Sequence, residues 1–189
     1  MSSILLSAPA VEPLTLDEAK AFLRIEHDDD DLTIAALIAG SRIHVETQTR
    51  RALITQTWRL IRDDWPADGK LYLKPAPLQE ILAARVYESD GTTLAIDTQA
   101  FAADKPGAVV AFAPWAIAQP GRAVGGIELD VRVGYGDAAA AVPEPLRQAI
   151  RLLVAHWYEN RSARAGALPI AVTPAGVGAL IAPYRVQSL

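Results

Sequence analysis

The apolar positions between Val142 and Arg161 recur at a helical period. Leu146, Ala149, Ile150, Leu153 and Trp157 stand at i, i+3, i+4, i+7 and i+11, which puts them on one stripe of a helix. Val142-Pro-Glu-Pro145 is a stiff entry, and proline is tolerated in a first helical turn, where its missing N–H has no partner to lose. The pattern fades after Asn160-Arg161. The spacing predicts a helix over 142–161 whose stripe is core. Its other faces, with Arg147, Arg151 and Tyr158, are the expected contact surface. Nearer the N-terminus, Thr15 and Glu18 make a capping box ahead of Leu16, Ala19, Phe22 and Leu23. A second helix runs from about Leu32 to Arg51, with Ile34, Leu37, Ile38, Ser41 and Val45 as its stripe, widened by Ala35, Ala39 and Ile43. The acidic run Glu26–Asp31 lies between the two, where negative charge favours a helix start. The two helices read as an αα-hairpin.

From Ile54 the period changes to alternation. Residues 55–62 read as a strand, Leu71–Leu73 as a short one, and Ile81–Glu88 and Thr93–Ile96 as a hairpin around Asp90-Gly91. Val109–Phe112 is a short candidate inside a loose Ala/Gly/Pro region over 97–125. The clearest strand has Ile127, Leu129, Val131, Val133 and Tyr135 alternating with polar residues or glycine, so one face is buried and the other wet. Residues 1–13 read as an extended arm.

Composition narrows the function classes. The 189 residues are 51% hydrophobic and 21% charged, a globular balance. Net charge is −4, which argues against general nucleic-acid affinity. No cysteine is present, which removes disulfides, thiolate nucleophiles and Cys-based zinc sites. No apolar run is long enough for a membrane helix, and the first residues lack the basic start of a signal peptide. Past Arg161 the chain turns rich in Pro, Gly and small residues, carries Arg164 and Arg185, and has no acid. Residues 163–189 look unable to form a core of their own. Their apolar positions either fold back or dock into a partner.

Catalytic patterns are weak. Four consecutive Asp without an internal Gly do not match a calcium loop, and helix capping explains them. His27, His44 and His156 form no metal-binding pair, and no nucleophile elbow or phosphate loop is present. The reading is a non-enzyme with no cofactor, no catalytic residues and no metal. Trp58 and Trp157 fall on patterned faces as core. Trp65 and Trp115 lie in Pro-rich loops, either as interface anchors or as local packing.

Several blocks together resemble the head–tail connector (portal adaptor) proteins of long-tailed phages, prophages and phage-derived gene transfer agents. They are Pro13–Ile25 with Asp28–Asp31, Arg51–Trp58, Val142–Ile150 through His156–Arg161, and Leu180–Arg185. The resemblance implies an α+β fold: a small helical bundle (an αα-hairpin, 14–53, plus a long C-terminal helix, 143–161) with an inserted antiparallel β-rich region, 55–136, and a C-terminal extension. Residues 1–162 would be one connector domain and 163–189 a docking tail. The implied role is a structural adaptor, a ring of about twelve copies between the portal and the tail, in the neck of a virion or virus-like particle assembled in the bacterial cytoplasm. Its partners would be the portal protein, neighbouring copies, a downstream neck or tail protein, and DNA passing through the lumen without sequence recognition, with no membrane. Leu168, Ile170, Val172, Val177, Leu180, Ile181, Tyr184 and Arg185 are the expected portal-docking residues. The alternatives are another neck component, such as a stopper or tail terminator, or a metal-dependent enzyme using Asp28–Asp31.

Overall fold

The computed structural model describes residues 2–160 and 173–186. The chain divides into two compact units. One is Met1–Pro9 with Thr55–Tyr135, and the other is Ala10–Ile54 with Gly136–Leu189. The first is built of strands and the second of helices.

The helical unit holds α1 (Leu16–Leu23), α2 (Asp31–Thr49), α3 (Glu144–Glu159) and α4 (Ala175–Ile181). The capping box is present as the sequence predicts. Thr15 Oγ1 accepts from the Glu18 N–H at 3.1 Å, and the Glu18 carboxylate accepts from the Thr15 N–H at 2.9 Å. Helices α1 and α2 end on left-handed residues, Arg24 and Arg50, both at φ 58. Lys20 reaches from α1 to Asp28 and Asp31, at 2.5 and 2.8 Å, and so ties α1 to the acidic turn.

Helix α3 packs against α1, α2 and α4. Leu146, Ala149, Ile150 and Leu153 of the predicted stripe are fully buried, joined by Val154. Trp157 is only half-buried. Its indole meets the His44 ring edge-on, centroids 5.8 Å apart, and lies over Gly40. Helix α2 departs further from expectation. Ile34, Ile38, Ser41, Val45 and Thr49 are buried, but Leu37 is half-buried and Ile43 and Leu32 are exposed, Leu32 at 89%. Apolar residues surround this helix, so a wide stripe could be drawn through them. Only the faces toward α3, α1 and α4 are covered.

The sheet unit holds eight strands, β1 (Ser2–Ser7), β2 (Gln56–Arg62), β3 (Lys70–Tyr72), β4 (Leu78–Tyr87), β5 (Thr93–Ile96), β6 (Ala102–Asp104), β7 (Val109–Ala111) and β8 (Ile127–Val133). Five form one sheet in the order β1-β2-β8-β4-β5, and three form another in the order β3-β7-β6. All pairs are antiparallel. Strand β8 lies at the centre of the larger sheet, and its alternation sets the two faces. Ile127, Leu129, Val131 and Val133 are buried with Leu60 of β2 and Ala84 and Val86 of β4. The β4–β5 hairpin turns at Asp90-Gly91, where Gly91 takes φ 88, as the sequence predicts.

The extended N-terminal arm is an edge strand, β1, paired to β2. The loose 97–125 region contains β7, at the short strand read over Val109–Phe112, and also β6, which the sequence did not mark; each is three residues long. It also closes over an aromatic cluster. Trp65 lies 6.0 Å from Phe101 and 5.0 Å from Phe112, and its indole N–H donates to the Ala118 carbonyl at 2.9 Å. Trp65 is therefore local packing. Trp58, expected in the core, is half-buried.

Candidate docking site

The C-terminal segment is where sequence reasoning placed the docking residues. Leu168, Ile170 and Val172 lie outside the described residues. Val177 and Ile181 are buried in the helical unit, at 0% and 1% exposure, and hold α4 against α3 and α2. Gly176 sits against Leu152. Past α4, a 3-10 turn over Ala182–Tyr184 brings the chain to the C-terminal end of α2. There the Arg51 guanidinium donates to the Tyr184 carbonyl at 2.6 Å, and the Val186 N–H donates to the Thr49 carbonyl at 2.9 Å. Both acceptors are carbonyls in or beyond the last turn of a helix, where intrahelical donors run out. Leu180 and Tyr184 remain half-buried and Arg185 exposed. Residues 174–186 thus pack on their own unit, with an outward face of Leu180, Tyr184 and Arg185.

The expected contact residues of α3 are also engaged within the helical unit. Arg147 donates to the Pro13 carbonyl at 3.0 Å and to Glu18, and ion-pairs with Glu144. Arg151 pairs with Glu144, and the Tyr158 hydroxyl donates to Asp30. Arg147 and Tyr158 thus meet acidic groups of α1 and of the turn before α2, while Arg151 is held within α3. Glu18 is held below its ordinary carboxylate range by the Thr15 backbone N–H, with Arg147 adding to the effect. Among the described residues no three His, Asp or Glu side chains gather as metal ligands. Asp28 and Asp31 face Lys20 instead.

The sequence reading missed a charged lattice on the other face of the five-stranded sheet. Asp130 of β8 accepts from Arg59 of β2 at 2.7 and 3.0 Å and from Arg85 of β4 at 2.7 Å. Glu128 pairs with the same two arginines at 3.4 Å. Arg132 pairs with Glu80 at 3.0 Å. Asp130 is held below its ordinary value, first by the Arg59 hydrogen bond, against burial and with help from Arg85. Arg59 is raised, mainly by Asp130. Tyr87 is raised by burial and by its hydrogen bond to Glu128. Arg122 stacks on the Tyr87 ring, 4.9 Å from its centroid. The signal in the sequence was the charge at alternate positions of β8, Glu128, Asp130 and Arg132. Finding the lattice needed the register Arg59↔Asp130 and Arg85↔Glu128, which no single strand reveals. Each carboxylate is matched by an arginine, so the lattice holds strands together and leaves no base poised for proton transfer.

A second surface lies at the Pro-rich loops of the sheet unit. Trp65, Pro66, Asp68, Phe112, Pro114 and Trp115 line a groove of about 610 Å³. Trp115 is 90% exposed.

Residues 13–93 match the family model of the phage gp6-like head-tail connector protein. No curated protein matches the chain. Among solved structures, a chain in the neck of an empty GTA particle, computed with C6 symmetry, superposes with a TM-score of 0.80 at 25% identity. The match covers 100% of this chain and 97% of that one. A chain in the virion of a native gene transfer agent (GTA) particle gives the same values. A chain in the neck of a native GTA particle, computed with C12 symmetry, gives a TM-score of 0.71 at 26% identity, covering 98% and 97%. The mixed α+β fold read from the sequence is the fold of these chains. The resemblance read from the sequence is shown as well: residues 13–93 match the model of the phage gp6-like head-tail connectors, and along its length the chain has the fold of chains from gene transfer agent necks.

Proposed function

We propose that this protein is a structural component of the neck of a phage-like particle, an adaptor that forms a ring between portal and tail and leaves a channel for DNA. The observation that carries the reading is the whole-chain likeness to neck chains solved with C6 and C12 symmetry. A cyclic assembly joins two different surfaces of each copy head to tail, and twelve copies is the expected number. A net charge of −4 suits a channel wall that must let DNA pass, because a strongly basic wall would hold it. The role requires no catalytic group.

Within this reading the portal docks on the C-terminal segment. Val177 and Ile181 anchor that segment on the helical unit, and Leu180, Tyr184 and Arg185 give it an outward face. Leu168, Ile170 and Val172 belong to the same docking element. Arg147, Arg151 and Tyr158 keep α3 in place beneath it.

The test is assembly with the portal of the same particle, followed by mass measurement and electron microscopy. The expected result is a ring of this protein on the portal that is lost when residues 163–189 are deleted. A ring found only next to tail proteins, away from the portal, would make it a stopper or terminator. Undiminished portal binding by the truncated chain would remove the docking assignment.

A further inference from the structure

The groove beside Trp115 is unlike the rest of the sheet unit's surface. A tryptophan buries roughly 150–250 Å² when it packs, so leaving one 90% exposed forfeits a large apolar burial. Flexibility does not explain it, because the loop around it is tied down. Gln119 donates to the Pro114 and Ile117 carbonyls at 2.9 and 3.1 Å, and the Ala116 N–H donates to the Ala113 carbonyl at 3.0 Å. The Phe112 N–H donates to the Gly69 carbonyl at 2.9 Å. Gly69, at φ 67, lets the two loops meet. A Cβ there would lie 2.5 Å from the Phe112 carbonyl oxygen and 3.2 Å from Pro114. An exposed tryptophan on a loop whose backbone is held needs little backbone ordering on binding, and tryptophan is enriched at the centres of protein interfaces.

The lining narrows the ligand. Trp115, Pro66 and Pro114 offer exposed apolar surface over the buried Trp65 and Phe112, suited to stacking against proline rings. A polyproline II segment has no internal hydrogen bonds, so its carbonyls need donors. Among the described residues nothing accepts from the Trp115 indole N–H, which is available as one. The charged side chain in the lining is acidic. Asp68 is exposed and uses one oxygen on the Lys70 N–H, which leaves the other for a cation. We propose that this groove docks an extended, proline-containing segment of another protein, with a basic side chain of that segment directed at Asp68.

The test uses the full-length protein and three synthetic dodecapeptides: a Pro-x-x-Pro core flanked by Arg, the same core flanked by Glu, and the Arg-flanked peptide with its prolines replaced by Ala. Binding is read by calorimetry and by the indole N–H signals in NMR, with Trp115→Phe assigning the residue. The Arg-flanked proline peptide is expected to bind and to shift the Trp115 signal. Trp115→Ala should weaken it about tenfold or more, and Asp68→Asn should weaken it several-fold and flatten its salt dependence. Unfolding midpoints of both variants should match the parent, because both side chains are exposed. The proposal fails if all three peptides bind alike, or if none binds at millimolar concentration. It also fails if Trp115→Ala abolishes self-association in sedimentation without affecting peptide binding, which would make the occupant a second copy of this chain.

Discussion

Asp130 links three strands of the larger sheet. It has 10% side-chain exposure and receives hydrogen bonds from two arginines on two neighbouring strands. A carboxylate with a depressed folded-state pKa adds stability above its unfolded value and loses it as pH falls through the folded value. Asp130 has a reference value of 3.8 and is lowered from it, so its contribution is complete at neutral pH and disappears in acid below about that value. Asp130→Asn is expected to lower stability by about 1.5–3 kcal/mol at pH 7, the range for hydrogen bonds to charged groups. The gap between variant and parent should close as pH falls below 3.8, measured by urea unfolding at a series of pH values. A gap that stays constant down to pH 2 would contradict the ion-pair account. Leu153 tests apolar burial instead. It is fully buried in α3, so Leu153→Ala should cost about 2–5 kcal/mol in the same measurement, independent of pH.

Among the elements, α4 is the one whose environment depends on few interactions. Seven residues cannot hold a helix alone, and this one carries two glycines, Gly176 and Gly178. It persists because Val177 and Ile181 are buried and because Arg51 and Thr49 fasten the turn after it. Arg51→Ala is expected to speed amide exchange over residues 174–186 about tenfold while leaving exchange in α3 unchanged. Equal acceleration in both would mean that α4 opens only with the whole unit. This element also shows what sequence reading misses. Val177 and Ile181 are four residues apart in a Gly- and Pro-rich stretch, and two apolar positions are too few to mark a helix. Thr15 and Glu18, by contrast, could be read directly, because a capping box is a local device whose partners are three residues apart.

At the scale of the whole molecule, the legible parts are those whose physics is local. The stripe of α3, the alternation of β8 and the Asp90-Gly91 turn all depend on neighbours within one element, and all three are present. The charged lattice, the packing of Trp65 and the burial of α4 depend on residues far apart in sequence, so no window of residues displays them. Asp130 looked like an ordinary wet-side residue because its two arginines lie 71 and 45 positions away. The same reasoning explains why Arg147 and Tyr158 read as a free surface. Their partners Glu18 and Asp30 lie over a hundred residues earlier, and only the fold brings them together.

Strand β1 has a consequence for solubility. It lies at the edge of the five-stranded sheet, paired on one side only, to β2. It carries Ile4, Leu5 and Leu6, all exposed, with no charged residue among Ser2–Ser7. An uncharged apolar edge leaves a row of backbone donors and acceptors open to a strand of another chain. Placing a lysine on that edge, as in Leu5→Lys, should therefore lower aggregation of the purified protein, read by light scattering, without unfolding the sheet.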